Sequence, residues 1–191
     1  MTDPLKLSLH FEMISDWHIG TGSGRHGGID RLIARDADGL PYIPASTWRG
    51  MWRDAAEMLA RGLDESDNGD WQALVRKLFG NVDTKTQTPP IESRIFPQDA
   101  RIASWLRPHF ISEQGHQYLR DALTFVKPGV AIDKTTGAAA TNFLRFEEMA
   151  IAKAILEANA YVDYPTDDPE TLIAFLAGAA SLIERIGGKR R

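Results

Sequence analysis

Leu5, Leu7, Leu9, Phe11 and Met13 alternate with Lys6, Ser8, His10 and Glu12, and the run gives way to a glycine-rich stretch from His18 to Gly28. A period of two marks a half-buried strand. The glycine-rich stretch limits the fold more than the strand does. Gly22-Ser23-Gly24-Arg25-His26-Gly27 fits the G-x-G-x-x-G spacing of dinucleotide sites. That spacing works only where a helix N-terminus comes next to receive the pyrophosphate. Here Ile29 to Arg35 reads as a second short strand and runs into the turn Asp36-Ala37-Asp38-Gly39. No helix opens, so the glycines serve a loop between strands rather than a nucleotide cradle.

The later segments alternate in type. Tyr42-Ile43-Pro44 is extended, as residues before proline tend to be. Ser46 is placed to cap a helix with Trp48, Met51, Trp52, Ala55, Met58 and Leu59 on its apolar face and Gly62 at its end. Trp48 and Trp52 are spaced as core residues. Asp70 is placed to cap a second helix through Leu78, closed by Gly80. Residues 81–92 read as a loop, and Ser93 to Phe96 and Ala100 to Ser104 as short strands; residues 105–130 are mixed. Across residues 143–163 two signals conflict. The Ala, Glu and Leu content favours helix. From Leu156, however, Leu156, Ala158, Ala160 and Val162 alternate with Glu157, Asn159, Tyr161 and Asp163, which predicts a strand. Asp168 and Pro169 open a last helix whose stripe includes Leu172, Ile173, Leu176, Ala180, Ile183 and Ile186, with Gly187-Gly188 as its stop.

The chain has 191 residues, the size of one domain, and 43% hydrophobic residues, enough for a core. It has no cysteine, which excludes disulfides, thiol nucleophiles and cysteine-ligated zinc. No signal peptide or membrane span is legible, and a cytoplasmic location is expected. The net charge of −4 argues, as a sum, against a nucleic-acid partner. Its distribution argues otherwise. Arg25, His26, Arg31 and Arg35 fall in one stretch, Arg49 and Arg53 share a helix face, and Lys189, Arg190 and Arg191 form a basic run. Solvated surface faces are the plainer reading of the same charges.

An ordered set of motifs adds a resemblance. His18-Ile19-Gly20-Thr21-Gly22, Gly27-Gly28-Ile29-Asp30, and the run from Arg35-Asp36 through Pro41-Tyr42-Ile43-Pro44 to Trp48-Arg49-Gly50 come first. Leu78-Phe79-Gly80, Ser93-Arg94-Ile95-Phe96, Asp99, the run Val130 to Ala139, Phe146-Glu147 and Gly187 to Arg191 come after them in order. Together they resemble the repeat-associated mysterious protein (RAMP) superfamily, in particular the backbone subunits of type III CRISPR effector complexes.

The resemblance implies an α+β, ferredoxin-like (RNA-recognition-motif-like) single domain over residues 1–191, with insertions and a thumb-like hairpin at residues 133–150. It implies a guide RNA, a target RNA and other RAMP subunits, including adjacent copies, as partners, and no membrane. The family continues into a final strand after the glycine-rich loop. The expectation is therefore that this chain is a piece of a longer protein or that its last strand comes from elsewhere.

For the site, the resemblance singles out Asp30. In the cleaving branch a loop Asp cuts target RNA, and a carboxylate there would hold a divalent cation such as Mg or Mn or orient the 2′-hydroxyl. The alternative is that Asp30 caps a turn. His18 and His26 are candidates for RNA contact or for acid–base work. Arg25, Arg31, Arg49, Arg53, Lys134, Lys189, Arg190 and Arg191 are RNA-binding candidates, because guanidinium and ammonium groups suit phosphate. Phe143 is either a wedge between bases or core. Three functions stay open: a guide-bound endoribonuclease subunit, a non-catalytic scaffold of the same complex, and a stand-alone guide-processing endoribonuclease. Zinc is not expected.

Overall fold

The computed structural model describes residues 4–22, 24, 28–67, 70–80, 89–111, 116–132 and 137–186. In chain order its elements are β1 (Leu5–Glu12), α1 (Ala45–Asp67), α2 (Trp71–Phe79), β2 (Ile95–Pro97), β3 (Arg101–Ile102), α3 (Pro108–Ile111), α4 (His116–Asp121), β4 (Thr124–Ile132), β5 (Ala139–Ala150), β6 (Ile155–Val162) and α5 (Pro169–Ser181). The fold is mixed α+β with antiparallel pairing. In one sheet β6 has β1 on one side and β2 and β3 on the other; β4 and β5 form a second, two-stranded sheet. The chain divides into two compact units, the first from residues 1–9, 44–99 and 158–186, the second from the remainder.

In the first unit, α1 packs against α2 and α5. Trp48 and Trp52, four apart, fall on one helix face, are fully buried and stack at 5.5 Å. Trp52 meets the edge of Phe79 at 5.7 Å, and Trp71 stacks on Phe175 at 5.2 Å. Both buried indoles are satisfied: Trp48 Nε1 donates to Gln98 O (2.9 Å) and Trp52 Nε1 to Leu176 O (3.0 Å). Ala158, Ala160 and Val162 of β6 face the core, as their alternation predicts, and β2 pairs with them in the register Ile95↔Val162 and Pro97↔Ala160.

Three helix boundaries differ from the sequence expectation. Ser46 does not cap α1, which already starts at Ala45; the Ala45 amide instead donates to Asp99 Oδ1 at 3.0 Å. Gly62 does not stop it either. The extra turn carries Asp64, whose carboxylate accepts from the amides of Trp71 and Gln72 and so caps α2, while Asp70 makes no side-chain cap bond. A glycine inside a helix costs only about 1 kcal/mol, so this one is tolerated. Gly80 ends α2 at φ 79°, as expected. Asp168 caps α5 by accepting from Thr171 N, but the helix closes at Ser181, leaving Ile183 and Ile186 beyond it.

In the second unit, β4 and β5 run antiparallel from Thr124↔Ala150 to Val130↔Leu144, with a register shift before Ile132↔Ala139. The helix propensity of residues 147–155 is overridden. Residues 147–150 belong to β5, Lys153 turns the chain at φ 63°, and β6 begins at Ile155. The segment sequence reasoning left unassigned supplies α3, α4 and β4.

Candidate nucleic-acid interface and loop carboxylate

A strand has two hydrogen-bonding edges, and its N–H and C=O groups alternate between them. On β5 the odd-numbered residues face β4. The even-numbered ones face Trp17, His18, Asp30 and Arg31, which lie along the other edge. Trp17 and Ala150 exchange both backbone bonds, at 3.0 and 2.8 Å. Glu148 N donates to Arg31 O at 3.0 Å, and Asp30 N donates to Phe146 O at 2.9 Å.

Two predicted side chains dock on this edge. His18 Nδ1 lies 2.7 Å from Glu148 O. A carbonyl oxygen only accepts, so Nδ1 carries the proton and, in the neutral ring, Nε2 holds the lone pair. A Cβ on Gly20 would stand 2.9 Å from that Nε2, so glycine there leaves the ring its space. Asp30 sits two residues further along. Its Oδ2 accepts from Phe146 N at 2.7 Å, and its carboxylate has no other partner among the described residues. Their anchor residues, Phe146 and Glu148, are one strand repeat apart, about 7 Å.

The segment after Asp30 is held by charge. Arg31 pairs with Glu147 at 3.4 Å and is half exposed. Ile33 N donates to Glu148 Oε2 (3.1 Å), and the Arg35 guanidinium reaches Glu148 Oε1 (2.7 Å), Thr124 Oγ1 (2.8 Å) and Gly39 O (2.7 Å). Asp36, with its side chain 1% exposed, accepts from the amides of Asp38 and Leu40 and from Arg107 at 2.8 Å. Arg107 also bonds Asp38. Burial opposes the Arg107 charge, but the hydrogen bonds to Asp36 and Asp38 and the nearness of both carboxylates outweigh it and raise its pKa.

In the first unit, α1 and residues 90–97 enclose a groove of about 950 Å³ lined by Arg49, Arg53, Arg94 and Phe96, among others. Arg49 donates to Phe79 O at 2.7 Å, while its buried Nε has no partner among the described residues. Arg53 pairs with Glu57 along the helix at 2.8 Å. Arg94 and Phe96 are about half exposed.

The structure therefore groups His18, Asp30 and Arg31 on one strand edge, and Arg49 and Arg53 in one groove. Arg25, His26, Lys134, Lys189, Arg190 and Arg191 lie outside the described residues, and Phe143 is described only as backbone within β5. Sequence reasoning missed Glu148, whose surroundings read as helix, and Arg94, which it quoted as a motif residue without a role. Among the described residues no cluster of three or more metal-ligating side chains occurs, and no helix is long and apolar enough to cross a membrane.

The profile of the RAMP superfamily matches residues 10–191. The chain belongs to the RAMP superfamily. Among solved structures, this RAMP chain is similar to a chain of type III-B Cmr-beta bound to cognate target RNA, with a TM-score of 0.65, 12% identity, and coverage of 90% of this chain and 88% of that one. It is also similar to a chain of type III-B Cmr-beta in the apo state, with a TM-score of 0.58, 13% identity, and coverage of 88% and 89%. At such identities the likeness is one of fold. No curated protein matches the RAMP chain.

Proposed function

We propose that this chain is a guide-RNA-binding backbone subunit of a type III CRISPR interference complex, and that it cleaves guide-paired target RNA through Asp30. The observation that carries this reading is the state of Asp30: one carboxylate oxygen is tied to the strand by Phe146 N and the other has no partner among the described residues. A carboxylate held in this way keeps its position and leaves one oxygen for a ligand. The chain's core is then the ferredoxin-like RNA-binding fold, and the β4–β5 ribbon with residues 133–150 is its thumb-like hairpin. The guide runs along the groove of Arg49 and Arg53, with Arg25, His26, Arg31, Lys134, Phe143 and the run Lys189 to Arg191 as further contacts. Target RNA, adjacent copies and other RAMP subunits complete the assembly in the cytoplasm. The type III-B likeness supports this class of complex.

A divalent cation fits Asp30 in one way only. With a single free carboxylate oxygen and no cluster around it among the described residues, a hard cation such as Mg or Mn would draw its other ligands from water and RNA phosphate, as Mg commonly does. It would stabilise charge developing on the scissile phosphate. His18 Nε2 is a second polar atom presented from the same strand edge.

The bond from Phe146 N also favours a second reading, in which Asp30 only caps the loop and the subunit is a scaffold. The test uses the assembled complex with guide and paired target. Asp30→Ala and Asp30→Asn are expected to abolish cleavage and leave target binding intact, and chelating the cation should mimic both. Wild-type cleavage by Asp30→Ala would reduce Asp30 to a structural turn residue and favour the scaffold reading. Cleavage of repeat RNA by the isolated chain would instead make it a guide-processing enzyme. Arg49→Ala with Arg53→Ala should weaken guide binding regardless of sequence and flatten its salt dependence.

A further inference from the structure

Resting on that reading of Asp30, we propose that Glu148 is the residue that positions Asp30 for cleavage. Among the described residues, Asp30 itself hydrogen-bonds to β5 at Phe146 alone. Phe146 ties its carboxylate and its amide, its backbone continues into the segment that leaves it, and Glu148 holds that segment at three points. Its backbone amide takes Arg31 O, its Oε2 takes Ile33 N, and its Oε1 takes the Arg35 guanidinium. These are alternate residues of one extended stretch, so together they fix its register on the strand edge. Glu148 also receives the His18 Nδ1–H at its own carbonyl, so one residue orients both polar groups of the loop.

The carboxylate is matched to this task. Its side chain is only 13% exposed, and each oxygen accepts from a different part of the segment. An amide has a single acceptor oxygen. Glu148→Gln keeps size and shape but must leave either the Ile33 amide or the Arg35 guanidinium facing an NH₂ group. The segment then loses one of its anchors, and Asp30 its fixed direction. Supporting residues around reactive groups commonly act at this level.

In the assembled complex with guide RNA, paired target RNA and Mn²⁺, Glu148→Gln should lower single-turnover cleavage roughly 10–100-fold. Target affinity should not change, and the Mn²⁺ concentration for half-maximal cleavage should rise. Amide exchange across residues 30–35 should quicken, which reads the anchor without reference to cleavage. Adding Glu148→Gln to Asp30→Ala should cost nothing further, because the two residues act as one unit.

Wild-type cleavage and an unchanged Mn²⁺ requirement in Glu148→Gln, beside an inactive Asp30→Ala, would overturn the positioning role and leave the function of Asp30 standing. Active Asp30→Ala would sink both. Loss of target binding by Glu148→Gln would make the residue architectural and also overturn the proposal. If Glu148→Gln does not assemble, Arg35→Lys tests the contact from the other side, since an ammonium cannot hold Glu148, Thr124 and Gly39 together. It should show the same Mn²⁺ shift, and an unshifted requirement counts against the role.

Discussion

The two units of this chain are held together by different physics. The helical layer of the first is a packed aromatic core: Trp48, Trp52 and Phe79 are buried, and only the indole N–H groups need partners. The loop segment of the second is held by polar groups. Asp30, Glu148, Asp36 and Arg107 pin residues 30–40 through hydrogen bonds and ion pairs between residues far apart in the chain. Packing is non-directional and tolerates small shifts. A hydrogen-bonded carboxylate fixes a direction, because the bond depends on angle as well as distance. The molecule uses packing where it needs stability and polar clamps where it needs orientation.

That contrast can be broken by substitution. The largest effect should come from Trp52→Ala, at roughly 3–5 kcal/mol of stability, since it removes a fully buried ring. Denaturant unfolding measures it, and a loss below about 1 kcal/mol would mean the layer is not organised around that ring. Asp36→Ala should cost somewhat less, roughly 2–4 kcal/mol, because it strips Arg107 of a buried partner. Arg101→Ala removes the longer, half-exposed arm to the same carboxylate, 3.8 Å away, together with the stacking of its guanidinium over Tyr42, and should cost under about 1 kcal/mol. Equal losses for these two variants would show that the buried Asp36–Arg107 pair adds nothing measurable to stability.

The smallest effect is one of pH. The amide of Ser104 holds Glu157 below its ordinary pKa, and the bond from Thr171 does the same for Asp168. A carboxylate depressed in the folded state stabilises it above the unfolded pKa, and that contribution is lost as pH falls through the folded value. Stability should therefore decline on the acid side, and Glu157→Gln should flatten the decline. An acid limb identical to wild type would mean the Ser104 contact does not survive in solution.

Periodic features were legible without a structure. The alternation of β1, the alternation of β6 from Leu156, the core placement of Trp48 and Trp52, the Asp168 cap and the Gly80 stop arise from residue type and spacing, and each appears in the fold. The ordered motifs carried the family, which the profile match over residues 10–191 bears out. Helix ends were less legible where the cap came from elsewhere in the chain: Asp99 starts α1, and Asp64 rather than Asp70 caps α2. Residues 147–150 show the limit most clearly. Their composition favours a helix, yet pairing with β4 on one edge and with Trp17 and Arg31 on the other makes them strand.

Local preference is decided by a residue and its near neighbours, so sequence alone determined β1, β6, the buried Trp48–Trp52 face of α1 and the family the motifs spell. The Asp30 clamp is different in kind. Asp30 and Phe146 are 116 positions apart and Glu148 and Ile33 are 115 apart. Nothing in either stretch states that the other will lie beside it. Tertiary structure alone decided that one oxygen of Asp30 would be tied and the other left without a described partner, because a hydrogen bond depends on distance and direction, and both exist only once the strand edge and the loop have come together.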